Sequence, residues 1–278
     1  MAEPTDLRKL GTAFHESFSF SRPATAQFLR AVLSSGSGEG HRGLTHKDLR
    51  QLSSLGTNYI KSVRRYAYGL GLVDEAEELT PIGRVIAEHD MDMADVQTQW
   101  ILHYTFAAPY RSGPAFWWPL LCGLRGMAEF GSADACAVLK EASAANAEQL
   151  ALRTLRTTAT VFLGTYSKDE GLGRLCVFGN DGNSYRAGVP VQPPTPVVAF
   201  AVADFWDHAW PGRASVNLSW LNEQGGPASL LLMNSGEMSD ALREMQNAGL
   251  VEVHRVAPPY QVFRLWGDST KLLERVYE

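Results

Sequence analysis

The sequence predicts a mainly α fold with small β wings (α+β): an N-terminal winged helix-turn-helix, then a central helical region, then a C-terminal winged-helix-like unit. Three observations predict it. Apolar residues recur at helical spacing in several segments. A short helix, a glycine turn and a second helix with a basic face occupy residues 45–70. Near the end, a helix, a glycine stop and a hairpin follow one another again over residues 239–266. The expected divisions of the chain are 1–110, 111–189 and 190–278.

Taken in order, Phe14 to Leu33 carries Phe14, Phe18, Phe20, Phe28, Leu29 and Val32, with Ser21 and Pro23 placed as cap and first-turn proline of a helix ending near Leu33. The stretch Ser34 to Gly40 is a flexible loop by composition. It lacks the Gly-Lys-Ser/Thr of a phosphate cradle, so it reads as a linker. Thr45 can cap a helix from Lys47 to Leu55, Gly56 ends it, and Thr57 or Asn58 caps a second helix to about Leu70. Leu72-Val73 reads as a short strand, Asp74 to Glu78 as a tight acidic wing tip and Glu78-Leu79 as the returning strand; Thr80-Pro81 restarts a helix through Ala87. Asp95 to Ala107 is helical, with Val96, Trp100, Ile101, Tyr104 and Phe106 on its apolar side.

The aromatic, proline-broken stretch Tyr110 to Pro119 is expected to pack rather than to recognise a ligand, and helices follow at Ser132 to Ala144 and Ala147 to Gly164. Cys176 to Gly188 is a loop rich in glycine and asparagine. The proline cluster Pro190 to Pro196 is a candidate boundary between lobes, ahead of an apolar helix from Val197 to about Trp210. Ser239 caps a helix Asp240 to Asn247, Gly249 stops it, and Leu250 to Arg255 with Tyr260 to Trp266 makes a hairpin around Pro258-Pro259.

Composition narrows the function classes. A hydrophobic fraction of 45% in 278 residues supports one large core or two smaller ones. The net charge of -5 excludes a chain that coats nucleic acid over its whole surface, so any such contact must be local. Cys122, Cys136 and Cys176 are odd in number and form no C-x-x-C pair, which argues for reduced thiols over a disulfide framework or a zinc site. No apolar run approaches the roughly 20 residues of a membrane span, and the N-terminus shows no leader pattern; a cytoplasmic protein without membrane contact is expected.

The local contact is expected on the second helix of the helix-turn-helix. Projected at 3.6 residues per turn, Ile60, Val63, Ala67 and Leu70 share the inward face, and Asn58, Lys61, Ser62 and Arg65 the outward one. These side chains donate to phosphates and base edges, and a major groove accepts such a helix. Around it, Arg42 to Val73 holds Arg42, Lys47, Arg50, Lys61, Arg64 and Arg65 against the single acid Asp48, whereas residues 74–95 are acidic with only Arg84 opposing. The expected nucleic-acid-binding residues are therefore Lys47, Arg50, Asn58, Lys61, Ser62, Arg64 and Arg65. A solvated basic face, or a winged helix that docks proteins alone, stays open beside this reading.

Motifs for catalysis and metals fail on inspection. Asp90 to Asp95 lacks the glycine and distal glutamate of a calcium loop and reads as a loop with a helix cap. His103 reads as a packed core histidine. Asp204 and His208 lie one helical turn apart without a nucleophile, and Cys176 has no base that sequence can identify. No dinucleotide, Walker or zinc motif occurs, so no catalytic residue, metal or cofactor is expected.

Several segments together resemble a bacterial family, the domain of unknown function numbered four thousand and seven. They are Phe14-His15 with Phe18 to Arg22, Leu55-Gly56 with Asn58 to Ser62, Arg64 and Arg65, Leu70 to Val73, Leu79-Thr80 with Ile82-Gly83, and Thr98 to His103; later, Thr157-Thr158, the Cys176 segment, Pro196 to Phe200 and the terminal winged unit. The chain departs from the pattern at Pro23-Ala-Thr25, where an aromatic-bearing segment is expected. The resemblance implies a setting near DNA sulfur-modification and other phage-defence genes, beside a sulfurtransferase-like enzyme and an ATPase. It implies no catalytic residues. The expectation is thus a non-enzymatic accessory subunit that binds double-stranded DNA. Alternatives are a protein-protein adaptor, motivated by the Trp-rich composition and Phe116-Trp117-Trp118, and a winged-helix transcriptional regulator working as a homodimer on two-fold sites.

Overall fold

The computed structural model describes residues 8–35, 56–145, 149–182 and 184–278. The chain is mainly helical with small antiparallel sheets. It forms two compact units, residues 1–191 and 192–278. The division falls two residues beyond the second expected boundary, and residues on either side of the expected boundary at 110 belong to one unit.

The first unit contains α1 (Arg22–Ser34), α2 (Thr57–Gly69), α3 (Pro81–His89), α4 (Val96–Ala107), α5 (Trp117–Arg125), α6 (Ser132–Ala145), α7 (Leu152–Ser167) and a hairpin of β1 (Phe178–Asn180) and β2 (Tyr185–Ala187). Ser21 caps α1 by accepting from the Ala24 N–H, with proline in the first turn, as its sequence indicates. The expected helix Lys47 to Leu55 and most of the glycine-rich linker lie outside the described residues. The hairpin corrects the loop reading of 176–188. The proline-broken aromatic stretch ends in α5, because Pro119 sits in its first turn, where its missing N–H has no helical partner to lose.

Helix α4 is buried all round from Thr98 to Ala107, so it is the central rod of this unit rather than an amphipathic surface helix. An aromatic chain runs through it from α2 to α7. Tyr66 contacts Phe106 at 5.7 Å between ring centroids, Phe106 contacts Trp117 at 4.7 Å, and Trp117 contacts Phe162 at 4.7 Å. The polar tips are satisfied inside. Trp117 Nε1 donates to the Tyr166 hydroxyl, which lies 2.9 Å from His103 Nδ1. His103 is thus the core histidine its sequence context indicates. Asp90 accepts from the Ala94 and Asp95 N–H groups, a loop-and-cap role that uses up its carboxylate.

The second unit contains α8 (Thr195–Ala209), β3 (Ser215–Asn217), α9 (Pro227–Leu230), α10 (Ser235–Asn247), β4 (Val251–His254), β5 (Gln261–Arg264) and α11 (Ser269–Glu274). Its sheet has the order β3-β5-β4, antiparallel throughout, with Val216 and Val253 both registered against the buried Val262. Helix α10 begins a turn earlier than the Ser239 cap predicts. Asn234 accepts from the Gly236 and Glu237 N–H groups while Glu237 reaches back to the Asn234 N–H, a reciprocal capping box. Asp204 and His208 sit one turn apart on α8.

Candidate nucleic-acid interface

Helix α2 runs as the sequence predicts, but Gly56 rather than Thr57 or Asn58 is its cap residue and makes no side-chain cap bond. At its other end Gly71 takes φ +71°, a left-handed conformation that relieves the chain of any Cβ penalty as it turns away. The expected wing is smaller than two strands. Val73 and Leu79 form a single antiparallel bridge, and Asp74 closes the turn by accepting from the Ala76 and Glu78 N–H groups at 2.9 Å each.

Of the expected contact residues, Asn58 and Arg65 are exposed and Lys61 and Arg64 half-buried. Ser62 is a correction. It is fully buried, with its hydroxyl unpartnered among the described residues, because α2 buries a second stripe. Tyr66, one turn on, lies under the rings of Phe14 and Phe20, and a Cβ on Gly69 would stand 2.5 Å from Leu10. Lys47 and Arg50 lie outside the described residues.

The basic side chains are not equally available. Arg64 is ion-paired with Glu77, whose side chain is only 13% exposed. Arg65 donates to Glu16 at 3.0 Å and to the Phe14 carbonyl at 3.2 Å, and keeps 46% of its side chain exposed. Lys61 has no ion pair among the described residues. Sequence reasoning missed two further cations, Arg8 and Lys9, because they precede the first periodic segment. Lys9 donates to the Arg111 carbonyl at 3.0 Å, and the Arg8 carbonyl accepts from the Tyr68 hydroxyl at 2.8 Å. These bonds hold the segment 8–14 alongside α2.

Together the segment Arg8 to Phe14, the α2 stripe Lys61, Arg64, Arg65 and Tyr68, and the turn Val73 to Glu77 line a cleft of about 820 Å³. Its described lining carries five cations, Arg8, Lys9, Lys61, Arg64 and Arg65, against the acids Asp74, Glu75 and Glu77. One buried group supports the wall. His15 accepts from the Ser17 N–H through Nδ1 and lies 3.0 Å from Thr158 Oγ1 through Nε2, which ties the turn bearing Glu16 to α7. Burial pushes its pKa down to about 4, the neighbouring Glu16 charge opposing, so the ring is neutral at pH 7.

The other candidate surface differs. The exposed side of α10 presents Asp240, Arg243 and Glu244, with Asp240 and Arg243 paired to each other at 2.8 Å and Glu237 half-buried nearby. Phe116, Trp117 and Trp118 are buried within the first unit, so the stretch Tyr110 to Pro119 packs as its sequence predicts. Among the described residues, no three His, Cys, Asp or Glu side chains gather to hold a metal, and no helix is long and apolar enough to cross a membrane.

Residues 44–277 match the family described as "Protein of unknown function (DUF4007)". No curated protein matches the chain. Two solved structures share its fold. A crystal structure of SspB has a TM-score of 0.77 at 15% identity, covering 99% of this chain and 89% of that one. A crystal structure of magnesium ion-bound SspB has a TM-score of 0.75 at 16% identity, with the same coverage.

Proposed function

Starting from a chain that belongs to the DUF4007 family, we propose that it is a DNA-binding accessory protein, with no catalytic step of its own, in a bacterial anti-phage defence or DNA sulfur-modification system. The observation that carries the DNA contact is the convergence of Arg8, Lys9, Lys61, Arg64 and Arg65 on one cleft in a chain whose net charge is -5. An acidic protein that concentrates cations in one place has a local site for a polyanion. The setting follows from the family resemblance, which also supplies the protein partners, a sulfurtransferase-like enzyme and an ATPase.

The winged-helix reading belongs here too. What supports a winged-helix reading of the second unit is its order of elements, helix, strand, helix, helix, strand, strand (α8, β3, α9, α10, β4, β5), together with a three-stranded antiparallel sheet. In the first unit α2 carries the proposed phosphate contacts, and Lys47 and Arg50, which lie outside the described residues, are expected to add to them. The acidic face of α10 repels phosphate, so the DNA contact is assigned to α2 and the second unit to protein docking.

One SspB structure holds a magnesium ion. The described residues gather no ligand cluster for a metal.

The test is binding of a labelled DNA at low salt by fluorescence polarisation. The wild-type chain binds, and Lys61→Glu with Arg65→Glu lowers the affinity by about 30-fold or more while the circular dichroism spectrum is retained. No binding by the wild type at about 50 mM salt overturns the proposal.

A further inference from the structure

We propose that the α2 cleft takes a single DNA strand rather than the major groove of a duplex. The inference rests on the DNA-binding reading above and gives the chemical form of its ligand.

A helix that reads a major groove must enter it. The groove is about 12 Å wide, and a helix with its side chains is about 10–12 Å across, so such a helix fills the groove and has room for no flanking chain. Helix α2 is flanked along its basic stripe. Arg65 is bonded to the Phe14 carbonyl and Glu16, Arg64 to Glu77, and these two side chains leave the helix about 100° apart, so different segments stand on either side. The two walls meet at Tyr68, whose hydroxyl donates to the Arg8 carbonyl and lies 3.5 Å from the Glu75 carboxylate. The basic stripe is therefore recessed, forming the floor of a cleft instead of a ridge.

What a recessed basic stripe fits is a strand. A single strand lays its phosphates along a charged groove and turns its bases to aromatic walls, and base stacking tolerates any sequence. Here the phosphates would run past Arg8, Lys61 and Arg65, since Arg64 is tied to the acidic turn and Lys9 to the Pro109 and Arg111 carbonyls. Asp74, Glu75 and Glu77 repel phosphate and confine it to that side. Tyr68, half-buried in the lining, is the aromatic wall. The volume of about 820 Å³ suits an extended nucleotide segment threaded through the cleft.

The experiment compares, on the full chain, a labelled oligonucleotide of about 16 nucleotides with a blunt duplex of the same sequence, at about 50 mM salt. The single strand is expected to bind at least about tenfold tighter, and Lys61→Glu with Arg65→Glu to abolish that preference. Arg8→Gln, outside every helix, guards against a folding defect and should lower single-strand affinity about threefold while leaving the thermal midpoint unchanged. A duplex bound as tightly as the strand overturns this inference and leaves the DNA-binding proposal standing. Failure of both DNAs to bind removes the two together.

Discussion

Helices α2 and α10 are both 13 residues long, both end near a glycine at positive φ, Gly71 and Gly249, and both lead into a turn or hairpin; their outward faces carry opposite charge. Helix α2 contains Lys61, Arg64 and Arg65 and no acid, whereas α10 contains Glu237, Asp240 and Glu244 against Arg243. Element order alone therefore does not assign a partner. What each helix can meet is set by the few side chains left wet after packing, and by what the rest of the unit places beside them.

The largest effect is expected at His15, which supports the wall of the α2 cleft. Its folded pKa of about 4 lies below its ordinary 6.5, so the unfolded chain takes up the proton first. The stability it contributes is complete above about pH 6.5 and is lost as pH falls toward about 4, by up to about 3 kcal/mol. Hydrogen exchange should show α2 and α7 losing protection across that window, because His15 ties the turn that bears Glu16 to α7, while α8 in the second unit keeps its own. His15→Gln should flatten the dependence; an unchanged slope in that variant would refute the assignment.

Next comes Glu77, whose Oε1 holds Arg64 and whose Oε2 is buried without a partner among the described residues. Glu77→Gln should release the Arg64 charge and raise DNA affinity about threefold to tenfold, at a stability cost of about 1 kcal/mol, as read by polarisation and urea unfolding. Weaker DNA binding would mean that Glu77 orients Arg64 for the ligand instead of withholding it. Smaller still, Ser62→Ala should be neutral or stabilising by up to about 1 kcal/mol and leave DNA affinity unaltered, because its buried hydroxyl has no partner among the described residues. The smallest effect is expected on α10, where Asp240→Asn with Glu244→Gln should change DNA affinity by less than about twofold. A large gain there would place DNA on the second unit.

The contrast between the helices also marks what the sequence could disclose. The extent of α2, the Thr80-Pro81 restart and the burial of His103 follow from local spacing, caps and periodicity, and all were readable. Ser62 was not, since one apolar stripe of Ile60, Val63, Ala67 and Leu70 hides a second made of Ser62, Tyr66 and Gly69, where the distant Phe14 and Phe20 pack on Tyr66 and Leu10 and Phe106 stand over Gly69. The start of α10 was passed over because Gly236 in its first turn masks the Asn234 and Glu237 capping box. Arg8 and Lys9 carry no local pattern. They join the cleft through bonds to Tyr68, Pro109 and Arg111, contacts of high sequence separation that no window along the chain contains.

The proposed hold on DNA is electrostatic, recessed cations on α2 meeting its phosphates. It is tested most directly by measuring affinity against salt concentration for the wild type and for Lys61→Glu with Arg65→Glu. The wild-type log–log slope should lie between about -2 and -4, and the variant's residual binding should show a slope shallower by about 2. A wild-type affinity indifferent to salt, or a variant with the wild-type slope, would contradict it.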